Sequence, residues 1–371
     1  MQTNKRAGNR ELRFDPAARK RYCGTTSSQT IQGHLATSNK QRAARVLTST
    51  YTQTIDPIDA VITWVNGSSP EHQRRRAHFA KQAAAPLLEN AVNPHRWADN
   101  DEILFCLRSV ANHAPWVRTI WIVTDGARPD LSELPDDLCA KIRYADHSAI
   151  FAGFPQALPT FNSLAIESLL WRIDGLSERF LYFNDDVFLS APLHEDDVFR
   201  ADHPVLRGRW VDYSDIANDP VAQRDPALFN HVMQVNAARL MHFSDGHLFA
   251  AAHVVHPFRR SVMAQLFEQH QTAFRENVLH RFRDLSQFLP QGLHNHACII
   301  AKEAVFQPFK DHLHIHSGQG ADGEPQDMRA YLEMALQAGP KFLCVNDLPQ
   351  LELLVPDVRD WITAAIGGLA R

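Results

Sequence analysis

Two adjacent carboxylates interrupt an apolar run in LYFNDDVFLS (181–190), where Asp185 and Asp186 stand between Phe183–Asn184 and Val187. Neighbouring acids at the point where a strand turns can hold a hard divalent cation such as Mg2+ or Mn2+, and that cation can also bind a phosphate. The same pair suits an Asx-turn or a helix cap, so this stretch alone leaves both readings open. His253 and His256 lie three residues apart in AAHVVHPFRRSV (251–262). Either neutral imidazole can accept a hydroxyl proton, although the spacing also fits a zinc-like pair or two packed histidines. HRFRD (280–284) carries Arg281 and Arg283, which alternation places on one strand face unless a loop brings them together. A guanidinium fork matches phosphate oxygens bidentately; a surface basic cluster is the plainer reading. In HLHIHSGQG (312–320), His312, His314 and His316 alternate on one expected strand face. That face is either a metal or acceptor site or, more plainly, a polar strand surface.

The surrounding elements must position these groups. IDAVITWV (58–65) is an apolar, β-branched run closed by Asn66-Gly67, a strand entering a turn. Asp99 and Asn100 stand where an N-cap belongs, ahead of Ile103, Leu104, Leu107, Val110 and Ala111 at helical spacing, and Pro115 marks the end. TIWIVTDG (119–126) repeats the pattern of a buried strand with a polar end. Asn162 and Ser163 cap a helix carrying Leu164, Ile166, Leu169, Leu170 and Ile173, and RFLYFNDD (179–186) is a third strand. Strands alternating with helices predict an α/β fold with a largely parallel sheet. Ligands of such sheets bind beyond the carboxyl ends of the strands, an edge that would gather Asn66, Asp125, Asp185 and Asp186.

With 371 residues, 44% of them hydrophobic and 22% charged, the chain can bury a large core as one big domain or two ordinary ones. A net charge of -4 gives no general case for nucleic-acid binding, and the 20 histidines suit proton transfer and metal ligation. Five cysteines without a CxxC pair suggest reduced thiols. No apolar run of about 18 residues is present to span a bilayer, and the N-terminus lacks the apolar core of a secretory signal. The expected location is the cytoplasm. The first 54 residues differ from the rest: ten lysines and arginines face only Glu11 and Asp15 among many Ser, Thr and Gln. Such a basic, partly disordered tail can dock on anionic lipid at the inner membrane face or on a polyanionic product, or remain a solvated leader. The chain is therefore read as a tail over 1–54 and a single α/β domain over 55–371.

Several blocks resemble the Stealth family of hexose-1-phosphate transferases, which includes bacterial capsular and exopolysaccharide phosphotransferases. The family also includes the animal N-acetylglucosamine-1-phosphotransferase that starts the mannose-6-phosphate mark on lysosomal enzymes. The first block is IDAVITWVNGSSP (58–70). The second runs from RWADNDEILFCLRSVANHAPWVRTIWIVTDGARP (96–129) to FNSLAIESLLWRIDGLSERFLYFNDDVFLSAPL (161–193). AAHVVHPFRRSV with HRFRD is similar to the third region, and KFLCVND (341–347) to the fourth. One departure stands in the first block, NGSSP, where many members carry an acid at the Asn66 or Ser69 position.

The resemblance implies a Rossmann-like, glycosyltransferase-A-like sheet flanked by helices, with further helical segments in the C-terminal part and a catalytic role for 55–371. It implies that a nucleotide sugar, UDP-hexose or UDP-N-acetylhexosamine, gives its sugar-1-phosphate to a glycan hydroxyl, leaving a phosphodiester and UMP. Asp185 and Asp186 would hold Mg2+ or Mn2+, and Glu167 would join that shell or bind hexose hydroxyls. His253, or else His256, would take the acceptor proton. Arg283, with Arg281 beside it, would meet the phosphate oxygens, and Asn66, Arg96, Asn100, Asp125 and Asn162 would face substrate. Arg108 also matches the family pattern but supports the helix surface as readily. Two other readings stand beside this one: a metal-dependent glycosyltransferase that releases UDP, and a non-catalytic sugar-binding component of capsule assembly.

Overall fold

The computed structural model describes residues 56–83, 86–92, 99–308, 310–317 and 325–368; the basic tail and Arg96 lie outside them. Its centre is a sheet in which Ile58–Thr63 (β1), Ile120–Thr124 (β2), Ile142–Asp146 (β3) and Arg179–Asn184 (β4) run parallel. Shorter strands follow along the chain: β5 (Val187–Leu189), β6 (Phe199–Arg200), β7 (His203–Val211), β8 (Leu248–Ala251), β9 (His256–Arg259), β10 (Val305–Gln307), β11 (His312–Ile315) and β12 (Phe342–Val345). The main sheet has the order β3-β2-β1-β4-β9, with β9 antiparallel at the edge. This is the expected α/β arrangement. Two further small sheets, which the sequence reading did not anticipate, pair β11-β12-β5 and group β10-β7-β6 with β8.

Both faces of the main sheet are covered, which is why its strands read as unbroken apolar runs. Ile58, Ala60 and Ile62 of β1 pack with Leu181 and Phe183 of β4 on one side. Val61 packs with Phe180 and Tyr182 on the other, as a two-residue side-chain period requires. Near its amino end β1 buries Asp59 completely. The carboxylate accepts two bonds from Arg118 (2.8 and 2.6 Å), one from the Trp121 indole (3.2 Å) and one from the Ser177 amide (2.9 Å).

Helices α1 (Pro70–Lys81), α2 (Glu89–Val92) and α3 (Glu102–His113) follow β1; α4 (Asp136–Lys141) precedes β3, and α5 (His147–Ile150) and α6 (Ser163–Glu167) follow it. The N-cap of α3 is Asp101, in the left-handed region at φ 63°, one residue past the Asp99–Asn100 pair expected there. Asn162 does cap α6, accepting from the Leu164 amide, but α6 is short. Ser168 turns its hydroxyl back to the Leu164 carbonyl at 2.7 Å, a bond that competes with helix continuation, and Leu169 leaves the helix at φ -120°. The C-terminal part carries the expected helices, including Pro290–Ala301, Pro325–Ala338, Leu348–Leu354 and Val358–Ala365. Among the described residues no helix is long and apolar enough to cross a membrane.

Candidate active site

The chain leaves the main sheet at Asn184 and enters the second sheet at Val187, so Asp185 and Asp186 form the junction between the two. There they meet the end of β12, which runs antiparallel to β5 with Cys344 opposite Val187. The Val345 amide donates to the Asp186 carbonyl at 2.9 Å, and the Asn346 side-chain amide donates to the Asp186 carboxylate. Asn346 in turn meets His314 of β11 through its side-chain oxygen. The His314 ring lies 5.6 Å from His316 and 5.6 Å from His253, which sits in the bend between β8 and β9. A carboxylate oxygen of Asp186, a ring nitrogen of His253 and the Cys344 sulfur all lie within 4.8 Å of one another.

Asp185, Asp186, Asn346, His314 and His316 line a cleft of about 800 Å3 over the carboxyl edge of the main sheet. Its floor is strongly acidic, with Asp99, Glu102, Asp185, Asp186 and Asp347 on one lining. Burial, and then the charges of Asp186, Glu102 and Asp99, push the Asp185 carboxyl well above the usual carboxylate range. Burial also raises Asp99 and Glu102. Burial, and then Asp186, raise the Cys344 thiol well above its ordinary value. Like charges gathered this closely disfavour one another's ionised form, and a divalent cation reverses that balance.

A second wall is built on α6. Arg283 donates to the Ser163 hydroxyl at 2.9 Å and lies 5.7 Å from the Phe229 ring, with its loop held by Asn162. The Asn162 amide donates to the carbonyls of His280 (2.9 Å) and Phe282 (3.0 Å) and to Gln287 Oε1 (2.8 Å). Behind this wall Glu167 is buried, its carboxyl raised by burial against the pull of Arg283 and hydrogen bonds with Tyr182 and Ser163. The Tyr182 hydroxyl donates to Asn184 Oδ1 at 2.5 Å and lies 3.2 Å from the Thr63 hydroxyl. Asn184 and Thr63 both reach the cleft.

The opposite end lies over β1, β2 and β3. His72 of α1 pairs with Asp125 at 3.3 Å, and Arg75 approaches the same carboxylate at 3.7 Å. The hydrogen bond from His72 holds Asp125 below its ordinary value. His147, the first residue of α5, is 3% exposed, and burial lowers its pKa to about 4. Thr160 and Phe161 complete this end.

The fold thus brings Asp185, Asp186, Asn162 and Arg283 to the cleft, with His253 beside Asp186. Other expected site residues stand elsewhere. Glu167 is behind the wall, because α6 turns it toward the sheet. His256 is buried in β9 opposite Tyr182, its pKa lowered to about 3, chiefly by burial. Arg281 clasps a neighbouring loop, donating to the carbonyls of Gln156 (2.6 Å) and Leu158 (3.1 Å) with its guanidinium 4.5 Å from the Phe79 ring. Asn100 donates to Glu102 at 3.0 Å, and Asp125 stands behind His72. The Asn66 side-chain oxygen is buried outside the cleft lining. Arg108 supports the helix surface through Glu133 at 3.2 Å. In the other direction, His314 and His316 are cleft residues rather than a plain polar strand surface, and Asn346 and Asp347 join them. Their signal was the polar Asn-Asp end of KFLCVND; only the pairing of β12 with β5 shows what it faces.

Residues 56–82 match conserved region 1 of the Stealth proteins and residues 96–205 match conserved region 2. An exopolysaccharide phosphotransferase of Streptomyces coelicolor is 34% identical over 255 residues, covering 67% of this chain and 41% of that protein. An exopolysaccharide phosphotransferase of Nocardia farcinica is 32% identical over 297 residues, covering 78% of this chain and 55% of that protein. The capsular polysaccharide phosphotransferase cps1A of Actinobacillus pleuropneumoniae is 36% identical over 174 residues, covering 47% and 46%. The chain thus spans about half the length of these relatives. Among solved structures, the galactosyltransferase LgtC with donor and acceptor sugar analogues is 12% identical, with a TM-score of 0.41 over 84% of this chain and 96% of that one.

Proposed function

Taking the chain as the Stealth-family protein that its two conserved regions make it, we propose that it transfers a sugar-1-phosphate unit from a nucleotide sugar to a glycan hydroxyl in capsule or exopolysaccharide synthesis. The donor is a UDP-hexose or UDP-N-acetylhexosamine, and the products are a phosphodiester and UMP. One observation carries this reading: an acid pair and an arginine on a facing wall line a single cleft, and His253 stands beside the acid pair.

The chemistry asks for a base, positive charge on phosphate oxygens and little else. His253 takes the proton from the acceptor hydroxyl, and the adjacent Asp186 carboxylate stabilises the imidazolium that forms. The acceptor oxygen bonds to the phosphorus next to the sugar. The bond between that phosphorus and the bridging oxygen breaks, and UMP leaves with this oxygen. Arg283, held by Ser163 and its Asn162-anchored loop, meets the charge that spreads over the phosphate oxygens. The oxygen donors of Asp185 and Asp186 suit Mg2+ or Mn2+, whereas the soft sulfur of Cys344 beside them does not suit a hard cation. Such an ion supplies charge neutralisation at the diphosphate.

The test follows the phosphate next to the sugar. With label there, the acceptor product should carry the label and UMP should appear. Label found in free UDP would mean that the sugar C1–O bond is cut, and the protein would be a glycosyltransferase.

A further inference from the structure

The acid floor and the arginine wall account for only part of the cleft. In the sheet order β3-β2-β1-β4, the residues after β3 stand three strand spacings from those after β4. At about 4.8 Å per spacing, that separates the His147 end from the acid end by roughly 14 Å. Two polar atoms at the far end are buried and have no hydrogen-bond partner among the described residues: His147 Nε2 and Thr160 Oγ1, on side chains 3% and 4% exposed. Both residues line the cleft. Leaving a buried donor or acceptor unsatisfied costs about 1–3 kcal/mol, so such atoms mark a place where a ligand completes the bonding.

We infer that this end of the cleft is the nucleobase subsite of the donor, with His147 and Thr160 reading the polar edge of the base. The inference rests on the reading of the donor as a nucleotide sugar and adds where its base lies. Charge argues against placing a phosphate here. Arg75 at this end lies 3.7 Å from the Asp125 carboxylate, which His72 holds ionised, and burial keeps His147 neutral at physiological pH. Shape argues against a sugar, whose many hydroxyls need many partners, whereas this end offers two open polar atoms beside the aromatic ring of Phe161. The Phe161 ring is fixed edge-on to His72 at 5.4 Å and stacked on Phe282 at 5.3 Å. A flat heterocycle with donors and acceptors only at its rim matches that combination. With the base over β3, the ribose and diphosphate extend across β2 and β1 toward Asp185 and Asp186.

The experiment is calorimetric titration of the full chain with UDP and, separately, with pyrophosphate, both with Mg2+ present. UDP should bind more tightly than pyrophosphate. Thr160→Val, which keeps shape and removes the hydroxyl, should weaken UDP about tenfold and leave pyrophosphate unchanged, the effect of one lost hydrogen bond in a buried site. His147→Ala should do the same. Should that variant unfold by circular dichroism, Thr160→Val and His147→Gln carry the test. Unchanged UDP affinity in both Thr160→Val and a folded His147 variant overturns the base subsite and leaves the transfer reaction standing. A wild-type protein that binds pyrophosphate and UDP equally also overturns it. If neither probe binds, the nucleotide-sugar reading falls and the subsite with it.

Discussion

Asp59 lies in β1 and Asp185 directly follows the neighbouring strand β4, and the two meet opposite fates. Near the amino edge, Asp59 is completely buried and receives an arginine fork, an indole and a backbone amide. At the carboxyl edge, Asp185 shares its surroundings with Asp99, Glu102 and Asp186, whose charges oppose its own. Burying a charge is costly unless partners compensate it. Asp59 carries its compensation within the fold. Asp185 is placed where compensation must come from something bound. The same residue type therefore serves stability at one edge and, in our reading, chemistry at the other.

Exchanging the charge at each edge should separate these roles. Asp186→Asn should lower turnover more than 100-fold while leaving the urea midpoint of unfolding unchanged, since the amide keeps the shape and removes the charge. Normal turnover in that variant would remove the cation assignment. Asp59→Ala should do the reverse, costing about 3 kcal/mol in urea denaturation while the folded fraction keeps its activity per molecule. The lower end of the expected range applies because the Arg118 side chain is 44% exposed and regains water when its partner is gone.

Cation binding gives a gentler version of the same contrast. At about 100 times its Kd, Mg2+ should stabilise the wild type by about 2.7 kcal/mol, visible as a rise in Tm. Asp186→Asn should lose most of that rise and Asp59→Ala should keep it.

The histidines show a parallel division that pH can test. His256, His294 and His296 are buried, with pKa values lowered to about 3, 3 and 4, chiefly by burial. His294 and His296 also accept hydrogen bonds from the amides of Arg259 (3.0 Å) and Phe249 (3.1 Å), which only neutral rings can do. An unfolded chain binds protons on these residues below about pH 6.5, while the native rings wait until pH 3 to 4. Unfolded protein therefore holds more protons in that window, and stability should fall as pH drops through it. The slope is up to about 1.4 kcal/mol per pH unit for each group. Flat stability between pH 6.5 and 4 would mean that these rings are already charged in the native state.

The two arginines of HRFRD should differ least in stability and most in activity. Arg281→Ala removes two bonds to carbonyls and a ring contact, which should cost about 1 kcal/mol of stability and little turnover. Arg283→Ala should reverse that pattern. Equal losses of activity in the two variants would mean that the loop acts as one rigid unit.

What was legible in the sequence had a local cause. Strand-forming runs with polar ends determined the alternation of β1, β2 and β4 with helices, because burial on both faces leaves an unbroken apolar signal. Asn162 was readable as a cap, because capping is an interaction between residues two positions apart. The acid pair was readable because two adjacent charges at the end of an apolar run are costly to bury and so mark a strand end. Tertiary structure alone decided the rest. His253 and His256 look interchangeable in sequence, yet a bend puts one ring beside Asp186 while strand pairing buries the other opposite Tyr182. Arg281 and Arg283 diverge because the loop that carries them is pinned by Asn162, 120 residues from Phe282. His314, Asn346 and Asp347 reach the acid pair only because β12 docks against β5, a pairing across 150 residues and more that leaves no periodic trace in either segment. Local propensity acts between near neighbours, whereas the site is assembled from strand ends whose closeness is set by the sheet.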